Sequence, residues 1–295
     1  MGKAELFKDL YPFKPKKITV FGHTISYLDE GKGPVIVMLH GNPTWSFFYR
    51  NLVLLLRDRY RLIVPDHLGC GFSDKPQEYP YRLKDHIDNL ENLLGQLGVE
   101  KHSLVLHDWG GAIGMGYLDR HPERLESLTV LNTAAFRSTR IPLRINICRI
   151  PYLGPFLVRG LNGFVRAAVH MAVKKRMPRL VRKGYLAPYN SWANRVAVMR
   201  FIEDIPLDYR HPSWETLLRA EGALQYIKNK PVLILWGGKD FCFNNTFYQE
   251  WHRRFPHARS IYLENAGHFV LEDADGQVDH LINGFFDEYL GGGRG

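Results

Sequence analysis

The chain lacks any apolar run close to the roughly 20 residues of a helical membrane span. It has only three cysteines, Cys70, Cys148 and Cys242, odd in number and far apart. Their spacing excludes a disulfide framework and a cysteine-based metal site, and predicts three free thiols in a reducing compartment. The N-terminus, MGKAELFKDLYPFKPKK, has no apolar core, so no secretory leader is expected. These absences predict a cytoplasmic protein, free or peripheral at a membrane. No metal and no cofactor are expected, and no internal repeat is visible. The tail GGGRG is expected to be disordered.

Another absence is one of sign. No acidic residue occurs between Glu126 and Glu203, while fourteen Lys or Arg fall in that stretch. This exceeds the net charge of +9, so the basicity is local. No nucleic-acid reading motif accompanies it, so nucleic acid is not an expected partner. Apolar residues interleave with the basic ones, among them Ile145, Ile147, Ile150, Phe156, Leu157, Leu161 and Phe164. That predicts either a solvated basic face over an apolar pocket or an amphipathic surface for an anionic membrane or partner enzymes.

What is present is an α/β rhythm. Lys17–Phe21 and Thr24–Asp29 flank Gly22 and His23 and read as a hairpin. Val35–Leu39, Leu62–Val64, Ser103–Leu106 and Leu128–Leu131 are continuous apolar runs, the mark of strands covered on both faces. Leu83, Ile87, Leu90, Leu94 and Leu97 recur at helical spacing over 81–97, with Gly98 as the stop. From about Phe136 to Glu221 the pattern turns helical and proline-punctuated. Strands then resume at Pro231–Trp236 and Arg259–Leu263, and Val278–Leu290 closes the chain as a helix. The expected fold is therefore α/β: an α/β-hydrolase core with a mostly parallel eight-stranded sheet and an inserted helical cap. Residues 1–135 and 222–295 would form the core, and 136–221 the cap.

The chemistry sits at strand ends. Leu104-Val105-Leu106-His107-Asp108-Trp109-Gly110-Gly111 joins a buried strand to a helix, as a nucleophile elbow does. Asp108 stands where a serine would. The first small residue of the elbow is missing, because Leu106 occupies it. An aspartate can displace a leaving group from saturated carbon and become an ester; alternatively it merely caps the following helix. His268, in Asn265-Ala266-Gly267-His268-Phe269, follows the last strand, where this architecture places its base. Asp240, in Trp236-Gly237-Gly238-Lys239-Asp240, follows the preceding strand and is the carboxylate for that imidazole. The other station for such an acid, after Leu128–Leu131, holds Asn132, which carries no charge. In the loop His40-Gly41-Asn42-Pro43-Thr44-Trp45, the Asn42 amide and, beside the nucleophile, the Trp109 indole are neutral donors suited to a leaving anion.

The segments HGNPTWSFFYR (40–50), PDHLGCGFSDKP (65–76), HDWGG (107–111), WGGKD (236–240) and Ala266–His268 resemble haloalkane dehalogenases over nearly the whole chain outside the cap. The resemblance implies Asp108 as nucleophile, His268 as base, Asp240 as acid, and Asn42 with Trp109 as halide donors. The combination resembles one subgroup of that family, which overlaps with β-lactone decarboxylases of bacterial olefin biosynthesis. The segment Ile141–Phe164 is similar to those decarboxylases too. In them the same aspartate would act on a β-lactone, with loss of carbon dioxide and formation of an alkene.

The leading expectation is hydrolysis of a small apolar haloalkane, with β-lactone decarboxylation as the alternative. A third is epoxide hydrolysis, which needs acidic donors such as Tyr152, Tyr185, Tyr189 or Tyr209. A fourth is a non-catalytic binding protein on the same fold, against which the intact set Asp108, Asp240 and His268 argues.

Overall fold

The computed structural model describes residues 8–291. The first seven residues and all but the first glycine of the GGGRG tail lie outside them. Eight strands form one sheet: β1 (Lys16–Val20), β2 (His23–Glu30), β3 (Val35–Leu39), β4 (Arg61–Pro65), β5 (His102–Asp108), β6 (Leu125–Thr133), β7 (Val232–Gly237) and β8 (Arg259–Leu263). Their order is β1-β2-β4-β3-β5-β6-β7-β8. The β1–β2 and β2–β4 pairings are antiparallel. All others are parallel.

Three helices precede the break in pattern: α1 (Arg50–Leu56), α2 (Leu83–Gln96) and α3 (Trp109–Arg120). Between β6 and β7 lie α4 (Leu143–Ile147), the single turn α5 (Leu153–Pro155), α6 (Gly163–Met171), α7 (Arg179–Leu186), α8 (Val196–Glu203) and α9 (Trp214–Ala223). The chain between α5 and α6 winds through a π-helical turn, Phe156–Gly160. After β7 come α10 (Asn245–Arg254), then β8, α11 (Val270–Asp273) and α12 (Gln277–Leu290).

The local causes are those the sequence carries. Helix α2 buries Leu83, Ile87, Leu90 and Leu94 on one stripe. The Asp85 carboxylate accepts the Arg82 backbone N–H at its start. Gly98, just beyond its end, has φ +63°, a conformation that glycine adopts without steric cost. Along β5, Leu104 and Leu106 face one hydrophobic core and Val105 the other, because side chains alternate across a strand. Both faces are covered, which explains the unbroken apolar runs.

Helix α9 lies on α3. Leu217, Ala220 and Ala223 share a core with Ile113, Met115 and Tyr117. Residues of α4, α6 and α8 stand instead around the same cavity as Asp108 and His268. Ile145, Val165, Val169 and Tyr185 pack into the core that also holds Phe48 and Phe269.

Candidate active site

Strand β5 ends on Asp108, whose backbone is held at φ +52° and ψ −123°. This is a strained conformation for a residue with a side chain, and such strain persists only where the surroundings enforce it. Asp108 occupies the cap position of α3, yet its carboxylate makes no capping hydrogen bond to that helix. The carboxylate points instead into the space above the sheet.

Small residues enforce the turn. A Cβ on Gly110 would collide with the Leu39 carbonyl of β3, so α3 starts against the neighbouring strand. The missing small residue at Leu106 is accommodated from the other side: a Cβ on Gly114 would stand 2.6 Å from a Leu106 methyl. A Cβ on Gly41 would overlap the Asp108 carboxylate itself. The loop after β3 therefore needs glycine to approach Asp108.

That approach places the Asn42 backbone N–H on Asp108 Oδ1 at 2.6 Å. The Trp109 backbone N–H, at the start of α3, adds to the stabilisation of the charged carboxylate. These are the two amides expected of an oxyanion hole, and the carboxylate rests on them. On its other side, Asp108 Oδ2 lies 3.6 Å from His268 Nε2. The His268 Nδ1–H donates to Asp240 Oδ2 at 2.7 Å, which leaves Nε2 as the basic atom. The three sequence-expected residues are thus brought together, all buried.

Two further residues hold this set: Asn132, noted from the sequence only as an uncharged occupant of the other acid station, and His107, which was not singled out. Asn132 is not an idle substitute for an acid. Its amide donates to Asp240 Oδ2 at 3.0 Å and to the Gly237 carbonyl at 3.1 Å, while its Oδ1 accepts the Gly237 N–H at 2.8 Å. The Cys242 N–H donates to the other oxygen of Asp240 at 2.6 Å. His107, beside Asp108, donates from Nε2 to the His268 carbonyl at 2.9 Å and stacks on Phe48. The only available signals were an asparagine at a strand end and a histidine in a strand flanked by leucine.

Burial raises the Asp108 pKa; His268 and the two backbone amides offset part of that rise. For His268, burial opposes the charge but Asp240, and then Asp108, outweigh it, so the imidazole is more basic than usual. His107 is held neutral by burial and by the neighbouring His268.

Asn42 and Trp109 flank Asp108 in the wall of a cavity of about 520 Å³. The Trp109 ring packs on Phe201 of α8. The Asn42 amide donates to the Val198 carbonyl of α8 at 3.1 Å, so this donor is shared with the covering helices. The cavity walls are mostly apolar and include Phe136, Ile141, Phe164, Ala168, Met171 and Phe247. No tyrosine lines it. Tyr152 and Tyr209 are exposed. Tyr185 donates to Glu272 at 2.6 Å and Tyr189 to the Thr44 carbonyl at 3.1 Å. Among the described residues, none of the four tyrosines considered as acidic donors for epoxide opening lines the cavity.

The three cysteines are free, and Cys242 lines the cavity. Among the described residues, no group of three His, Cys, Asp or Glu could hold a metal ion, and no helix is long and apolar enough to cross a membrane.

The model of the α/β-hydrolase fold family matches residues 34–275. The chain belongs to the α/β-hydrolase family. Within it, the chain is 45% identical to the cis-3-alkyl-4-alkyloxetan-2-one decarboxylase of Shewanella oneidensis, over 95% of this chain and 90% of that protein. It is 30% identical to haloalkane dehalogenase 2 of Mycobacterium tuberculosis, over 92% of this chain and 95% of that protein. Among solved structures, haloalkane dehalogenase DbeA from Bradyrhizobium elkani superposes with a TM-score of 0.83 at 25% identity, covering 94% of this chain and 99% of that one. This α/β-hydrolase is an enzyme of the subgroup in which β-lactone decarboxylases and haloalkane dehalogenases meet.

Proposed function

We propose that this α/β-hydrolase works through an ester on Asp108, and that its substrate is a cis-3,4-dialkyl β-lactone, released as a cis-alkene and carbon dioxide. The observation that carries this reading is the large apolar cavity with a single carboxylate, Asp108, presented at its floor. The 45% identity to a decarboxylase of such lactones, against 30% to a dehalogenase, supports the same order. It reverses the precedence expected from the motifs alone. In the same reading, residues 136–221 are the cap that roofs the cavity, and 1–135 with 222–295 are the core.

In this mechanism Asp108 attacks the ring carbon that bears the lactone oxygen. The carbon–oxygen bond breaks with inversion, and the oxygen leaves as the substrate's own carboxylate, close to the Asn42 and Trp109 donors. That carboxylate then departs as carbon dioxide. Its carbon–carbon bond pair becomes the alkene, and the ester oxygen leaves the adjacent carbon as the Asp108 carboxylate. Inversion followed by anti departure returns the cis geometry. No water is consumed and no net redox change occurs. Protonated His268, held by Asp240, is the counter-charge for Asp108 between turnovers.

A second reading uses the first step alone. A haloalkane would lose halide to the same donors, and neutral His268 would deprotonate water for attack on the ester carbonyl. Asp108 Oδ1 already accepts the Asn42 amide and would do so as the carbonyl oxygen of the ester, which favours this hydrolysis.

The two readings separate by experiment. Native enzyme and Asp108→Ala are incubated with a long-chain cis-β-lactone and with 1-bromobutane, and alkene and bromide are measured. Alkene formed by the native enzyme and lost in Asp108→Ala is the expected result. Bromide without alkene would install the dehalogenase reading, and neither product would defeat both. His268→Ala should release about one equivalent of bromide and stop, while still turning lactone into alkene at a lower rate.

A further inference from the structure

Thirteen large hydrophobic residues are exposed among the described residues, and seven of them fall between Leu143 and Leu161. This concentration has a geometric cause. Ile145, Cys148, Gly154 and Val158 turn inward and are buried. A Cβ on Gly154 would strike the Cys148 carbonyl, so α4 and α5 fold tightly onto each other. The Gly154 N–H donates to the Ile150 carbonyl at 2.8 Å, and the Leu161 N–H to the Phe156 carbonyl at 3.0 Å. With the inward positions spent on packing, Leu143, Ile147, Ile150, Leu153, Phe156 and Leu161 are presented outward from one compact unit. Tyr152 at its apex is 92% exposed.

The charge left without an ion pair around this unit is positive. Arg137, Lys175 and Arg200 are paired to Glu221, Asp275 and Glu203. Arg149 has Glu203, Asp204 and Asp208 near it. Arg140, Arg144 and Arg166 are exposed and make no ion pair among the described residues. Monomeric soluble proteins seldom leave an apolar cluster of this kind uncovered. Apolar side chains rimmed by unpaired arginines match the boundary between acyl chains and anionic headgroups.

The same unit is a wall of the active-site cavity. Arg140, Arg144, Ile147 and Leu157 line it. The first three of these are also exposed, which marks the place where the cavity reaches the surface. We propose that the outward face of residues 143–161 docks on an anionic lipid surface and opens the cavity mouth toward it. An alkyl-chain substrate dissolved in the lipid would then enter without crossing water. The binding itself does not depend on which reaction Asp108 performs.

The test is co-sedimentation of the full chain with vesicles of phosphatidylglycerol and phosphatidylcholine, compared with phosphatidylcholine alone. The native protein should pellet with the anionic vesicles and be released by raised salt. Ile150→Glu/Phe156→Glu alters two exposed residues that do not line the cavity, so circular dichroism and turnover of whichever of the two substrates the native chain converts, in a short-chain form, serve as fold controls. Its partitioning should fall by about tenfold or more. Failure of the native chain to bind anionic vesicles would overturn the proposal, as would equal binding by the double variant. Self-association of the native chain, seen by sedimentation velocity without lipid and lost in the double variant, would assign the face to a second copy of the chain and overturn it too.

Discussion

Asp108 and Asp240 flank one imidazole, and their surroundings suit them to different work. Asp240 is locked by Asn132, Cys242 and His268, whereas Asp108 faces the cavity. Its charge also acts on His268, helping to raise that pKa. Once Asp108 is esterified this contribution vanishes, and the imidazole becomes easier to keep neutral. The base is lost as pH falls through the His268 pKa. The acid limb of ester hydrolysis, measured by single turnover of bromobutane, should therefore lie at lower pH than the imidazole titration of free enzyme seen by NMR. A coincident limb would mean that Asp108 does not tune His268. Asp240→Asn should cost about 10⁴-fold in that hydrolysis, because the tautomer is no longer fixed. Far from the nucleophile, burial, then Glu272, pushes the Asp279 carboxyl up to about 7, with Arg50 offsetting only part. Between the ordinary carboxylate pKa of ~3.9 and 7 the folded state keeps a proton that the unfolded state has lost, so this group's stabilising contribution drains away as pH rises. Asp279→Asn should remove that loss, making the variant more stable than native at pH 8 by roughly 2–4 kcal/mol in urea titrations. Asp108, His268 and Asp240, which the structure brings together, were legible as a set because the chemistry proposed for them demands particular side chains at strand ends. Asn132 and His107 were not, because they are neutral and act on partners distant in sequence.

At the scale of elements, legibility followed periodicity. The strands buried on both faces and the stripe of α2 announce themselves within a few residues. Helices α4 and α5 and the π turn are too short to show a 3.6-residue repeat, and their apolar residues divide between cavity and surface, so the sequence conveyed only that this stretch is helical. The elbow is where element and chemistry meet. Gly110→Val should force α3 away from Leu39 and misplace Asp108 along with the Trp109 amide; activity should vanish well before stability does, as paired turnover and melting measurements would show. The covering helices are fastened near the base by a buried group, in which Arg50 pairs with Glu272 and Tyr185 of α7 donates to that same carboxylate. Tyr185→Phe removes a hydrogen bond to a charged acceptor and should cost about 1.5–3 kcal/mol in denaturant midpoint analysis.

For the whole molecule, a mostly parallel eight-stranded sheet follows from the alternation of patterns, but its strand order and the cavity do not. Its lining runs from Asn42 to Phe269 and exists only once the insertion closes over the strand ends. Its size is accordingly the property to alter. Ala168 on α6 lines the wall, and Ala168→Phe should lower kcat/KM for a long-chain lactone by about tenfold or more while a short-chain lactone is barely affected. An equal loss on both would place Ala168 outside the acyl path.

Strands β6 and β7 end side by side, so Asn132 and Asp240 are a donor and an acceptor joined by one hydrogen bond. The negative charge and its amide partner have two seats, and the fold specifies the pair before it specifies who sits where. Exchanging them in Asn132→Asp/Asp240→Asn moves the charge by a single hydrogen-bond length. Each single change should be worse than the exchange, which a double-mutant cycle on turnover would reveal. If the exchange retains turnover, the acid can pass from one strand to its neighbour without dismantling the site, and a search keyed to one fixed acidic position would overlook catalysts that use the other.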